Sequence, residues 1–312
     1  MRNTAQQNIK RYAILLKHWS QDIKLPLFEG LSLYNVSRFF FRGIIQGSVT
    51  SRAGSVAYSF FMALFPGIIF LFTLIPFFPV ASLEAEIYHV FARVLPPDTW
   101  EASRTTIEDI LRNKRGGLLS FGFFLALIFS TNGINALITN FSNTIHDVEW
   151  RPWWKQMLIS LGLTFVISFN FIVGIILIIF SADVLNGLLG FFRLEEVSTL
   201  AVETTRFFLL LLLVYSGILI LYNFGPARTT RRRLLSPGAI LATFLIVLTS
   251  AGFSFYVANF SQYNKLYGSI GTLIVILLWI YLNALVLIIG FELNASISQI
   301  KQEQQHSPAS SS

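Results

Sequence analysis

Six stretches of the chain, at about residues 54–79, 118–139, 157–182, 200–222, 237–260 and 269–292, are each long and apolar enough to cross a membrane. A helix spans the roughly 30 Å hydrocarbon layer with about 20 apolar residues. Backbone N–H and C=O groups in lipid must be satisfied within the protein, so runs of this kind fold as membrane helices. Composition agrees, with 54% hydrophobic and 12% charged residues against about a quarter charged in a soluble domain. The expected fold is all-α: a polytopic membrane protein with six transmembrane helices, a surface amphipathic N-terminal helix and an external helical hairpin between spans one and two.

The amphipathic helix is read from YNVSRFFFRGIIQGSVTSR, in which Val36, Phe39, Phe40, Ile44 and Ile45 alternate with Arg38, Arg42 and Arg52; it is expected to lie along the membrane surface. The hairpin falls at about 80–117, where Glu84 to Leu95 is amphipathic, Pro96-Pro97 breaks it and Asp98 can cap a second helix. It reads as a lid on the bundle or a docking surface for an envelope partner. Three segments follow: 1–52, cytoplasmic with the interfacial helix; 53–296, the six-helix transmembrane domain; and 297–312, a disordered cytoplasmic tail.

Lys and Arg near the span ends set orientation. An even span count puts both termini on one side, with Arg2, Lys10, Arg11, Lys17, Lys24, Arg38, Arg42, Arg52, Arg151, Lys155, Arg228, Arg231, Arg232, Arg233 and Lys301. That side is expected to be cytoplasmic. The net charge of +7 thus reads as topology. The run ARTTRRRLLSPG, with Arg228, Arg231, Arg232 and Arg233, is assigned to anionic lipid headgroups and not to nucleic acid. Trp150, Trp153 and Trp154 with Arg151 and Lys155 read as an interfacial anchor.

Polar side chains interrupt the spans at similar depth. Span one has Ser55, Tyr58 and Ser59; span two has Thr131, Asn132, Asn135 and Thr139; span three has Ser168 and Asn170; span six has Asn283 and, at its end, Glu292. Thr131, Asn135 and Thr139 recur at i, i+4 and i+8 and share a stripe. Burying such groups in hydrocarbon is costly unless they are partnered. Asn283 is therefore expected to face other amides and hydroxyls, and Glu292 has Arg52 available at the same membrane face. Packing glue and a hydrated cavity open to the cytoplasm both fit. In the second case Ser55, Tyr58, Ser59, Asn132, Asn135, Asn170 and Asn283 line a substrate path, with Arg52 and Glu292 as its gate or ion pair. Pro66, within span one, is expected to kink or break that helix near Phe65-Pro66-Gly67.

Catalytic chemistry finds little support. The histidines, His18, His89, His146 and His306, are scattered, and the chain has no HExxH and no phosphate-binding glycine loop. There is no cysteine, so thiolate metal sites and disulfides are ruled out. No metal, cofactor or catalytic residue is expected.

Four segments in order, SVAYSFFMALFPGIIFL (Ser55–Leu71), NTIHDVEWRPWWK (Asn143–Lys155), PARTTRRRLLSPGAI (Pro226–Ile240) and LYGSIGTLIVILLWIYLNALVLIIGFELNAS (Leu266–Ser296), resemble the YihY/BrkB family of bacterial inner-membrane proteins. Asn223 stands where members commonly carry an arginine after the tyrosine. The resemblance implies six spans, cytoplasmic termini and the inner membrane. Members have carried a ribonuclease name, an association with serum resistance and a suggested role in lipid movement toward the outer membrane. The residues favour the last. The expectation is a non-enzymatic transporter or translocation factor for a phospholipid or lipid-A-like molecule, with membrane lipids and periplasmic or envelope lipid-transfer proteins as partners. The alternative is a scaffold for envelope assembly, and a ribonuclease is a third reading that rests on the family's history alone.

Overall fold

A computed structural model describes residues 30–74, 116–144, 151–191, 199–227, 234–259 and 269–306. Among the described residues seven helices follow in order: α1 (Leu33–Gln46), α2 (Val49–Leu74), α3 (Gly116–Ser142), α4 (Trp153–Phe191), α5 (Thr199–Phe224), α6 (Pro237–Asn259) and α7 (Ser269–His306). All but α1 are long and apolar enough to cross a membrane. Within their apolar windows only 11% (Pro237–Val257) to 33% (Gly116–Ser142) of the residues are buried. Phe121, Phe169, Phe208, Phe244 and Phe255 are among the exposed side chains. An outward face this apolar has a stable environment only in lipid.

The helices form two compact units, one comprising residues 1–57 and 134–312 and the other residues 58–133. In the smaller unit, α2 and α3 approach at glycines. A Cβ built on Gly122 would lie 3.3 Å from the Phe70 Cα, and one on Gly133 would lie 3.1 Å from the Phe60 ring. Phe70 and Phe123 add a tilted ring pair, with centroids 5.5 Å apart. Small residues permit such close approach, and packing then holds the helices together where lipid removes the hydrophobic drive.

Pro66 does not end α2. The helix runs through it to Leu74, so of the kink or break expected at Phe65-Pro66-Gly67 the break does not occur. Proline withdraws the N–H that would reach Met62 O and its ring crowds that carbonyl, and a membrane helix tolerates both.

In the larger unit, α6 and α7 meet at Gly238 and Gly290. A Cβ on Gly290 would stand 2.6 Å from Gly238 O and 2.6 Å from Tyr222 Oη. The start of α6 is fixed by side chains. Ser236 Oγ accepts from Ala239 N at 3.3 Å, Pro237 occupies the first helical position, and Gly238 N donates to Asn294 Oδ1 of α7 at 2.9 Å. Asn294 Nδ2 in turn donates to Ser236 Oγ at 2.7 Å. These bonds satisfy N–H groups that a helix start leaves without partners.

α1 begins at the N-cap Ser32, whose side chain accepts from Asn35 N, and at 14 residues it is about 21 Å long, too short to span. Its apolar side, Val36 with Phe39 and Phe40, packs on Leu293, Ile297 and Ile300 of α7. That corrects one expectation and refines another. Residues 297–306 are not a disordered tail but the last turns of α7, ordered because Ile297 and Ile300 are buried. The main apolar face of α1 rests on protein, and Arg52 belongs to α2, not to the surface helix. The expected external hairpin, the run Arg228–Arg233, Trp150 and the last six residues lie outside the described residues.

Candidate functional site

The strongest polar feature lies at one end of the larger unit, where Arg52, three residues into α2, meets Glu292 of α7. Glu292 is fully buried and Arg52 is 6% exposed. From Gly271, where the apolar window of α7 begins, Glu292 lies about 32 Å along the helix, one hydrocarbon thickness away. One crossing begun at Gly271 would end at the level of this pair.

Each partner is further satisfied. Arg52 Nε donates to Asn140 O at 2.9 Å, and Nη2 donates to the same carbonyl. Arg52 Nη1 donates to Glu292 Oε1 and, at 3.3 Å, to Gly47 O at the end of α1. Glu292 Oε2 accepts from Thr144 Oγ1 at 2.8 Å. One guanidinium thus joins the end of α1, the start of α2, the end of α3 and α7. Its fork of donors suits this task, which a lysine ammonium could not reproduce with the same geometry.

Two neighbouring features brace this end. Phe141 stacks on Phe291 with centroids 4.5 Å apart, and Tyr222 meets both rings edge-on while donating to Leu287 O at 2.6 Å. Arg151 donates to Gly225 O at 2.8 Å and to Pro226 O at 2.6 Å, placing a cation at the C-terminus of α5, where the helix dipole favours it. Burial lowers the Arg151 pKa, and the charge survives because a guanidinium starts far above neutral pH. Trp153 and Trp154 are exposed, and Lys155 lies 5.2 Å from the Trp154 ring centroid.

At the same level of α3, the polar stripe finds partners on α4. Gln156 Nε2 donates to Asn135 Oδ1 at 2.9 Å and to Thr139 Oγ1 at 2.8 Å, and Ser160 Oγ donates to Asn135 Oδ1 at 3.4 Å. Deeper along α4, Asn170 Nδ2 donates to Ser216 Oγ of α5 at 2.8 Å.

Within the larger unit, Asn135, Asn170 and Asn283 each have a different hydrogen-bond partner. Asn135 and Asn170 join separate interhelical bonds. Asn283 Nδ2 donates to Trp279 O one turn back on α7, which corrects its expected pairing with amides and hydroxyls of other helices. In a helix that carbonyl is always within reach of the side chain four residues on, so no neighbour is needed. Ser55, Tyr58 and Asn132 are exposed and Ser59 is half-buried. Asn132 is rotated off the stripe because it lies one residue, or about 100°, from Thr131. Thr131 Oγ1 is buried without a hydrogen-bond partner among the described residues.

Gln156, Ser160, Asn140, Thr144, Ser216, Ser236 and Asn294 were not singled out from the sequence. Gln156 and Ser160 repeat at i, i+4 and so carried a readable signal; the backbone carbonyl of Asn140 carried none. Among the described residues, no group of three or more His, Cys, Asp or Glu is placed to hold a metal ion.

These features define a six-span helical membrane protein with its charged and aromatic bracing concentrated at one end of the larger unit. The chain belongs to the BrkB family: the family model described as Virulence factor BrkB matches residues 40–312. It is 31% identical over 261 residues to the Putative ribonuclease-like protein YfkH of Bacillus subtilis, covering 83% of this chain and 93% of that protein. It is 28% identical over 278 residues to a UPF0761 membrane protein of Alteromonas mediterranea, covering 86% and 90%. A UPF0761 membrane protein of Xanthomonas axonopodis is 25% identical over 300 residues, 93% of this chain and 66% of that relative. No solved structure matches the chain.

Proposed function

We propose that this BrkB-family protein is a non-enzymatic translocation factor of the bacterial inner membrane for an amphipathic envelope component, a phospholipid or lipid-A-like molecule. Arg52–Glu292 serves as its latch at the cytoplasmic boundary. The observation that supports this reading is the burial of that pair. A buried ion pair is a poor source of stability, since desolvation offsets much of the attraction, and its best-attested use is as a register or switch element.

Arg52 Nη1, the one donor that holds the Glu292 carboxylate, can equally bind a phosphate oxygen in its place. A headgroup that exchanges with Glu292 would free α7 from α2 and from Thr144. The neutral ladder of Asn135, Thr139, Gln156 and Ser160 at that level supplies polar contacts. In the unit of residues 58–133, Tyr58 and Asn132 are exposed polar side chains on apolar helices, the kind of surface a headgroup passing through lipid would use.

A second reading, a scaffold for envelope-assembly partners, is favoured by one observation. Gln156, Asn170 and Asn283 all donate to partners within the protein, as packing residues do.

Vesicles reconstituted with the purified protein and a trace of headgroup-labelled phospholipid separate the two. Translocation predicts that the protein accelerates loss of protected label to an external reductant. Glu292→Gln, checked for folding by its thermal unfolding in detergent, should change that rate at least several-fold. A folded protein that leaves the rate at the protein-free value, wild-type and variant alike, would sink the transport reading. Cleavage of RNA by the pure protein would overturn its non-enzymatic character.

A further inference from the structure

α1 has two apolar faces, and among the described residues only one of them packs on the rest of the protein. Val36, Phe39 and Phe40 pack toward α7. On the opposite side, Phe41 is 58% and Ile45 79% exposed, and they share their stripe with the exposed Arg38 and Arg42. These four positions fall within about 100° of one another at 100° per residue. The apolar pair lies outside the span that begins at Val49, so lipid contact along a transmembrane helix does not account for it. Residues 30–52 include no Asp or Glu, and the stripe is purely basic and apolar.

The same end of the larger unit repeats this pairing. Trp153 and Trp154, 79% and 54% exposed, open α4 beside Lys155, and Leu234 and Leu235, 84% and 72% exposed, precede α6. Hydrogen bonds place these ends together: Arg52 joins α2 to the end of α3, Gln156 joins the end of α3 to the start of α4, and Arg151 joins that start to the end of α5. Tyr215 of α5 donates to Leu234 O at 2.6 Å.

We propose that the Arg38–Phe41–Arg42–Ile45 face of α1 docks on the anionic phospholipid surface of the leaflet at this end, the side chains of Phe41 and Ile45 entering the headgroup layer and both arginines meeting phosphates. Charge complementarity selects this occupant. An apolar pair flanked by arginines, on a helix that itself carries no acid, fits an anionic lipid interface. The docked helix is also tied to the latch. Its last carbonyl region, Gly47 O, accepts from Arg52, and Ser48, at φ 48°, fixes a tight corner before α2. The inference stands whether or not the chain moves lipid.

The chain has no cysteine, so single cysteines can be placed in the full-length protein at Phe41, Ile45 and, as a control on the exposed end of α7, Gln304. Each is labelled with an environment-sensitive dye in nanodiscs of phosphatidylcholine alone or with phosphatidylglycerol, with and without shallow spin-labelled lipid as quencher. Docking predicts quenching at 41 and 45, well above that at 304, and stronger in the anionic discs. An arginine near an anionic surface contributes roughly five-fold in occupancy. The double change Arg38→Gln, Arg42→Gln should therefore abolish the dependence on phosphatidylglycerol. The dye at 45 reports this on a variant shown to be monodisperse. Quenching at 41 and 45 no greater than at 304 would overturn the proposal and leave the stripe to a protein partner. Equal quenching in both lipids would overturn the role of the arginines.

Discussion

α2 and α3 are joined in two different ways along their lengths. In the larger unit, Arg52 of α2 reaches the Asn140 carbonyl of α3 and Glu292 of α7; in the smaller, Gly133 lies under the Phe60 ring and Gly122 lies against the Phe70 backbone. The first is a directed, charge-assisted contact with one satisfactory geometry. The second is steric fit, spread over many weak contacts. A membrane bundle can thus concentrate specificity at one boundary and leave the rest to shape. The charged end should fail abruptly when altered and the glycine seam gradually.

The largest expected effect comes from Glu292→Leu, which leaves Arg52 buried and uncompensated. A loss of about 3–5 kcal/mol is expected, read as a large fall in the unfolding midpoint in detergent. Adding Arg52→Met should restore a large part of it. A single variant as stable as wild type would mean that the pair holds nothing together.

Glycine substitutions sharpen the contrast. Gly290→Ala drives a Cβ against the Gly238 carbonyl and Tyr222 Oη, and about 1–3 kcal/mol is expected from overpacking against backbone. Gly133→Ala meets only a ring at 3.1 Å that can shift by a few tenths of an ångström, so its midpoint should fall less. The reverse order would show the smaller unit to be the rigid one.

The smallest effect is expected for Gln156→Leu. It removes the donor to Asn135 and Thr139, and interhelical hydrogen bonds in membranes average about 0.6 kcal/mol. A loss above about 2 kcal/mol would show that this ladder belongs with the charged end and not with ordinary packing.

The spans were legible because burial in lipid imposes a length and a composition on every crossing, and both are written locally. The partnership of Arg52 and Glu292 could be foreseen only as two opposite charges at one predicted face. Their mutual reach, and the roles of the Asn140 carbonyl and Thr144, depend on how three helices are rotated about their axes. Asn283 shows the limit from the other side. Depth in the membrane can be read from sequence position, but whether an amide turns to a neighbour or to the carbonyl one turn back is settled by what packs beside it. The order of residues 297–306 was missed for a similar reason, since Ile297 and Ile300 are sparse apolar positions in a polar stretch and become a core only against α1.

The sequence by itself determined the number and placement of the membrane helices and the absence of thiol chemistry, because chain-local hydrophobicity and composition suffice for these. Tertiary structure alone decided which face of α1 is covered, which polar groups meet and where the buried charge pair closes. Those depend on contacts between residues as far apart as Arg52 and Glu292, whose energies exist only once the helices are in register.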